Sequence, residues 1–246
     1  MIRSAVILAA GRGARLGALG EQRPKGFIEL GGEAIIETSL ARLRRAGVVR
    51  VCIVTGHLDG FYRDLAGRHP EVTLIHNPDY AASGSMYSLY LARAAVQEDF
   101  LLLESDLIYE QRALTALLAA AADTLLVSGP TGSGDEVYVE ASKRRLTGLS
   151  KRRADLAGEV IGELTGLTRL TPAALAAMCR HAETVFAASL HLEYEQALVA
   201  AARETPVACL LIPDLAWSEI DDAAHLARAV AQVFPAIQAN DRRYPS

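Results

Sequence analysis

An apolar run at 5–8 gives way at once to glycine and charge, and the next apolar positions, Ile35, Ile36, Leu40 and Leu43, recur at helical spacing until Gly47. The run reads as a buried strand and the periodic stretch as a helix over 34–46, with the glycine as its C′ residue. VRVCIVTG is a second buried strand, followed by a polar helix near 58–68 and the strand EVTLIHN. A helix opens near Ser85, FLLLE at 100–104 is an apolar strand, and a further helix starts near Gln111. Strands alternating with helices predict a parallel sheet covered on both faces.

After Leu126 the rhythm shortens. EVYVEA alternates, SKRR is a basic turn, LTGLSK continues the alternation, and GEVIGELTGLTRL reads as one or two strands. This predicts an antiparallel extension of the sheet. Thr171-Pro172 opens a helix with an N-cap and a proline at the first position. A longer helix is expected over 189–203, then the strand VACLLI, and a last helix from Asp222 with apolar positions Ala223, Leu226, Val230 and Val233. With no repeat, low-complexity tract or linker, the expectation is one α/β domain over 1–246, with an antiparallel, acceptor-binding part at about 129–205.

Composition narrows the chemistry. A length of 246 residues buries a sizeable core, and a net charge of −4 argues against a general nucleic-acid binder. Any bound anion must meet local cations. Cys52, Cys179 and Cys209 are widely spaced in apolar surroundings and read as reduced core residues. No apolar run approaches the roughly 18 residues of a membrane span. The default expectation is a cytoplasmic protein with no membrane partner.

The stretch LAAGRGARLGALGEQRPKGFIEL at 8–30 follows the first strand and concentrates glycine and cations. A dinucleotide fingerprint needs a glycine where Leu16 stands, and a P-loop needs Gly-Lys-Ser/Thr, which is absent. A third, competing reading is a nucleotidyltransferase loop. There Gly11 and Gly13 let backbone N–H groups approach a triphosphate while Arg15 and Lys25 supply charge; the bland alternative is a glycine turn with ordinary surface cations.

LAAGRGARL followed by RPKG resembles the loop of sugar-phosphate nucleotidyltransferases and small cytidylyltransferases, which have a Rossmann-like, glycosyltransferase-A-type fold with a mixed, mostly parallel sheet. NPDYAASGSMYSLYLA, FLLLESDLIYE and SGPTGSGDEVYVEA extend the likeness to the subgroup that activates small amino-alcohol headgroups, including the 2-aminoethylphosphonate and bacterial-type choline-phosphate cytidylyltransferases. The resemblance implies CTP held by Ala9, Ala10, Gly11 and Gly13, with Ser85, Met86 and Ser88 against the base. It implies Mg²⁺ on Asp106 and on Asp221 of WSEIDDAA, Asp222 being left as the helix cap.

Asp106 lies just past the most apolar strand, where open parallel sheets place ligands, and oxygen-only ligands suit Mg²⁺. An acceptor that is already an anion needs no general base, so the expected catalytic groups are the cations Arg15 and Lys25, with Lys151 of LSKRR facing the acceptor or merely belonging to a solvated turn. The acceptor's amine has candidate aromatics in Tyr87, Tyr194 and Trp217 and candidate acids in Glu193, Glu195, Asp135 and Glu136; Glu193, Tyr194 and Trp217 are the first choices. CTP and 2-aminoethylphosphonate, its product serving glycan or lipid decoration, are the expected substrates. Phosphocholine and phosphoethanolamine are alternatives, a nucleotide-binding regulator without catalysis is a remote one, and a homodimer is left open.

Overall fold

The computed structural model describes residues 2–120 and 123–244. Strand β1 (Ser4–Ala9) leads through a 3-10 turn (Ala14–Leu16) and short helix α1 (Ala18–Gln22) into a small hairpin, β2 (Glu29–Leu30) and β3 (Glu33–Ala34). Helix α2 (Ile35–Arg45), β4 (Arg50–Thr55), α3 (Gly60–Arg68), β5 (Val72–His76), α4 (Ser85–Ala92) and β6 (Phe100–Glu104) complete the alternating half. Then come β7 (Leu107–Tyr109), α5 (Gln111–Ala119), β8 (Thr124–Ser128), β9 (Tyr138–Ser142), β10 (Arg145–Ser150) and β11 (Val160–Leu170). The chain finishes with α6 (Pro172–Phe186), α7 (Tyr194–Ala201), β12 (Ala208–Ile212), β13 (Trp217–Glu219) and α8 (Ala223–Arg228). A π-helical turn (Ala229–Val233) joins α8 to α9 (Phe234–Arg243).

Nine strands form one sheet in the order β5-β4-β1-β6-β11-β8-β12-β10-β9. Strand β11 runs antiparallel between β6 and β8, and β10 runs antiparallel to both neighbours, while the other strands share one direction. The sheet is therefore mixed and mostly parallel. Successive side chains of a strand point to opposite faces, and β1 divides accordingly: Val6 and Leu8 join one core with α4, α6 and α7, whereas Ala5, Ile7 and Ala9 join another with α2, α3 and α5. Helices thus cover both faces.

Several details depart from the periodicity. The helix expected over 189–203 begins only at Tyr194, because Glu193 accepts from the backbone of the first turn and Gln196 returns a bond to the Glu193 N–H at 3.1 Å. The residues before it are held extended, with the Leu190 and Leu192 carbonyls accepting from Gly84 and Met86 at 3.0 Å. A methyl on Gly84 would lie 2.6 Å from the Leu192 carbonyl carbon, so this seam requires glycine. GEVIGELTGLTRL is one strand, β11, with register shifts near its glycines. The β2–β3 hairpin and the β7–β13 pair are too short to leave a periodic signal.

The β7–β13 pair brings two distant stretches of chain together. Trp217 lies opposite Tyr109 and Glu219 opposite Leu107, and the Ile220 N–H donates to the Asp106 carbonyl at 3.1 Å. The segment after β6 and the segment before α8 are thereby joined side by side.

Candidate active site

In the sheet, β4 and β5 lie on one side of β1 and β6 on the other, so the chain order reverses between β1 and β6. A crevice opens at the carboxyl ends of such strands. Here it is a cavity of about 250 Å³ lined by Ala9, Ala10 and Gly11 after β1, by Ser105 and Asp106 after β6, and by Ser85 and Ser88 on α4. A second cavity, of about 370 Å³, adjoins it and is lined by Arg15, Lys151, Trp217 and Asp221 among others. Lys25, Glu104 and Glu193 line both.

Gly13 carries the turn between them at φ 63°, a left-handed conformation that glycine adopts without strain. Lys25, in a 3-10 turn after Pro24, extends its ammonium to Asp106 Oδ2 at 2.8 Å and to Asp221 Oδ1. Arg15 spans Asp221 Oδ2 at 2.8 Å and Asp135 Oδ2 at 2.6 Å, and Lys151 reaches Asp135 Oδ1 at 2.6 Å. Cations and carboxylates alternate in one ladder across the cavity wall. Burial disfavours the Lys25 ammonium, but Asp106 and Asp221 outweigh it and hold its pKa above the ordinary lysine value.

The second cavity is strongly acidic. Its wall carries Glu104, Asp135, Glu136, Glu163, Glu193, Glu195, Glu219 and Asp221 against Arg15, Lys25 and Lys151. Burial, then the neighbouring Asp221, Asp106 and Asp135, push the Glu219 carboxyl up to about 8, and burial followed by Glu193 pushes Glu195 up to about 7. Glu104 is raised well above its ordinary value by burial and then by Asp106. Glu195 Oε2 is buried without a hydrogen-bond partner among the described residues.

A carboxyl whose folded pKa is raised binds a proton that the unfolded chain has released, so rising pH costs stability between the two values. For Glu195 that window runs from 4.5 to about 7. The ligand-free Glu195→Gln variant should match wild type in Tm near pH 5 and exceed it by several degrees at pH 8, at roughly 2–4 °C per kcal/mol. Parallel Tm curves from pH 5 to 8 would contradict this.

The site holds the residues named from sequence unevenly. Ala9, Ala10, Gly11, Ser85 and Ser88 line the first cavity; Arg15, Lys151 and Trp217 the second. Gly13 shapes the loop without lining either, and the cavities meet at Lys25 and Glu193. Met86 is a correction: Ser85 and Ser88 share the cavity-facing side of α4, which turns Met86, with no exposure, into the core. Tyr194 is another. Its ring is buried in the core behind α7 and its hydroxyl donates to Glu104 Oε1 at 3.0 Å, so it orients that carboxylate and lines neither cavity.

Glu193 does reach the cavities, but one carboxylate oxygen already accepts from the Ser85 N–H at 3.0 Å and its hydroxyl at 2.6 Å. Asp222 caps α8, accepting from the His225 N–H at 2.8 Å, while Asp221 faces the cations. Residue types alone do not single out Glu104, Glu163 or Glu219. For two of them a signal exists: Glu104 stands two residues before Asp106, and Glu219 two residues before Asp221, and the members of each pair line a common cavity.

Two buried carboxylates that meet on one ammonium, with oxygen donors only, fit a hard divalent cation. The three cysteines are free and buried, outside this cluster. Among the described residues no helix is long and apolar enough to cross a membrane.

The family model described as MobA-like NTP transferase domain matches residues 5–241. A CMP-5'-(3-aminopropyl)phosphonate synthase of Streptomyces rubellomurinus is 40% identical over 119 residues, covering 47% of this chain and 19% of that protein. A 2-aminoethylphosphonate cytidylyltransferase of Lancefieldella rimae is 34% identical over 106 residues, 43% of each. Each match spans less than half of the relative's own length. In fold, the inositol-1-phosphate CTP transferase of T. maritima superposes with a TM-score of 0.80 at 21% identity over 96% of both chains.

Proposed function

The chain belongs to the MobA-like NTP transferase domain family, and on that premise we propose that it transfers CMP from CTP to 2-aminoethylphosphonate, releasing pyrophosphate. The observation that carries this reading is Lys25: it stands on the wall shared by two cavities, between Asp106 and Asp221. A nucleotide in the first cavity and an acceptor in the second would meet at that ammonium.

The acceptor's phosphonate oxygen attacks the α-phosphorus and forms the new P–O bond. The bond from that phosphorus to the bridging oxygen of the β-phosphate breaks, and its electron pair leaves with pyrophosphate. An anionic acceptor has no proton that must be removed, so the protein's work is alignment and charge stabilisation. Lys25 and Arg15 face the charge on the transferring group, and Lys151 the acceptor. Asp106 and Asp221 would hold Mg²⁺, which when bound offsets the charge of the triphosphate.

The far end of the acceptor is read from the second cavity's chemistry. Carboxylates dominate its wall, and among the described residues Trp217 is its only aromatic. A primary ammonium, with three N–H donors, suits such a wall, whereas a quaternary ammonium favours an aromatic cage. The names of the Streptomyces and Lancefieldella relatives agree with an aminoalkylphosphonate.

The test is pyrophosphate release with CTP, UTP or GTP crossed against 2-aminoethylphosphonate, phosphoethanolamine and phosphocholine. CTP with aminoethylphosphonate should give the highest kcat/KM; a higher value for phosphocholine overturns the acceptor assignment. No turnover with any pair overturns the transferase reading. Lys151→Ala should raise acceptor KM about tenfold, the loss of one charged contact, and leave the CTP KM unchanged. Unaltered acceptor KM would return Lys151 to a solvated turn.

A further inference from the structure

Behind the acidic wall, Glu219, Asp221 and His225 each present one ligand atom, and the three atoms lie within 4.8 Å of one another. The fold makes this cluster locally. Glu219 ends β13, the extended step sets Asp221 beyond it, and the first turn of α8, capped by Asp222, brings His225 back against both. His225 is only 3% exposed, and its Nδ1 is buried with no hydrogen-bond partner among the described residues. A buried polar atom left unpaired is costly and calls for an explanation.

We propose that Glu219, Asp221 and His225 form a mixed nitrogen–oxygen site for a divalent transition cation, adjoining the Asp106–Asp221 pair and sharing Asp221 with it. One imidazole with two carboxylates suits Mn²⁺, Co²⁺ or Zn²⁺, whereas Mg²⁺ and Ca²⁺ favour oxygen alone. Glu219 and Asp221 both line the second cavity, which gives the cation a way in. The cation would give the buried imidazole a ligand partner and reduce the charge of the acidic wall. This site goes beyond the transfer reaction, although it shares Asp221 with the centre proposed for it.

The test is Mn²⁺ binding to the nucleotide-free full chain, followed by equilibrium titration and by pulsed electron paramagnetic resonance for coupling to ¹⁴N. Wild type should show ¹⁴N modulation from a directly bound imidazole, and Asp106→Asn should keep it. His225→Gln should lose it and raise the Mn²⁺ Kd about tenfold or more. Labelling wild type with ¹⁵N-histidine, which needs no substitution, should replace the ¹⁴N pattern. Mn²⁺ bound without histidine coupling, or no Mn²⁺ bound at all, overturns the site. Histidine coupling in a protein that releases no pyrophosphate with any acceptor would keep the site and overturn the transferase reading.

Discussion

Lys25→Ala is expected to lower kcat by about 10²–10³-fold, the cost of removing one preorganised charge-stabilising donor from a site of this kind. The reason lies in its position. Lys25 is the cation common to both cavities, and its side chain is 19% exposed while those of Asp106 and Asp221 are 10% and 6%. A buried ammonium faces little competing water, so its loss is not made good by solvent.

The same substitution should also destabilise the ligand-free protein, by about 3 kcal/mol, because it strands the buried Asp106 carboxylate and leaves the buried Asp221 with Arg15 alone. Lys25→Arg tests the separation: it restores charge, and with it most of the stability, but a planar fork does not reproduce an ammonium held between two carboxylates, so kcat stays low. The assay is pyrophosphate release beside thermal unfolding without ligands. A wild-type kcat in Lys25→Ala would remove Lys25 from the reaction centre.

Much of this arrangement is legible in the sequence. Strand and helix periods give the alternating half of the sheet, and the fold class comes from that pattern together with the first glycine loop. Asp106 is legible as an acid placed just past a strand end, and Asp221, beside a better helix cap, through the family resemblance. What local pattern cannot supply is the pairing of distant segments. Arg15 meets Asp135 across 120 residues and Lys25 meets Asp221 across 196, and no local period encodes either contact.

Tyr194 illustrates the same limit from the other direction. A Glu-Tyr-Glu stretch offers acids and an aromatic together, but the capping box fixes where α7 begins. That start determines which of the three faces the cavity: Glu193 and Glu195 do, and Tyr194 turns inward onto Glu104. Helix phase, set by one cap, decides what residue types alone leave open.

Asp106→Asn is expected to give the opposite stability result from Lys25→Ala while costing at least as much activity. Removing one of the two carboxylates that would hold Mg²⁺ should lower turnover about a thousandfold, several kcal/mol of lost charge stabilisation. Yet the ligand-free protein should melt at the wild-type temperature or a few degrees above it. Asp106 is among the charges that press the Glu104 and Glu219 carboxyls upward, and neutralising it relieves that crowding. Lys25 keeps Asp221, and Arg15 keeps Asp221 and Asp135, so neither cation is stranded. Sites shaped to bind an absent ligand commonly trade stability for function. Thermal unfolding of both variants, at one pH and without ligands, decides the matter. A Tm lowered in Asp106→Asn as far as in Lys25→Ala would mean that the Lys25–Asp106 pair serves the fold rather than the reaction.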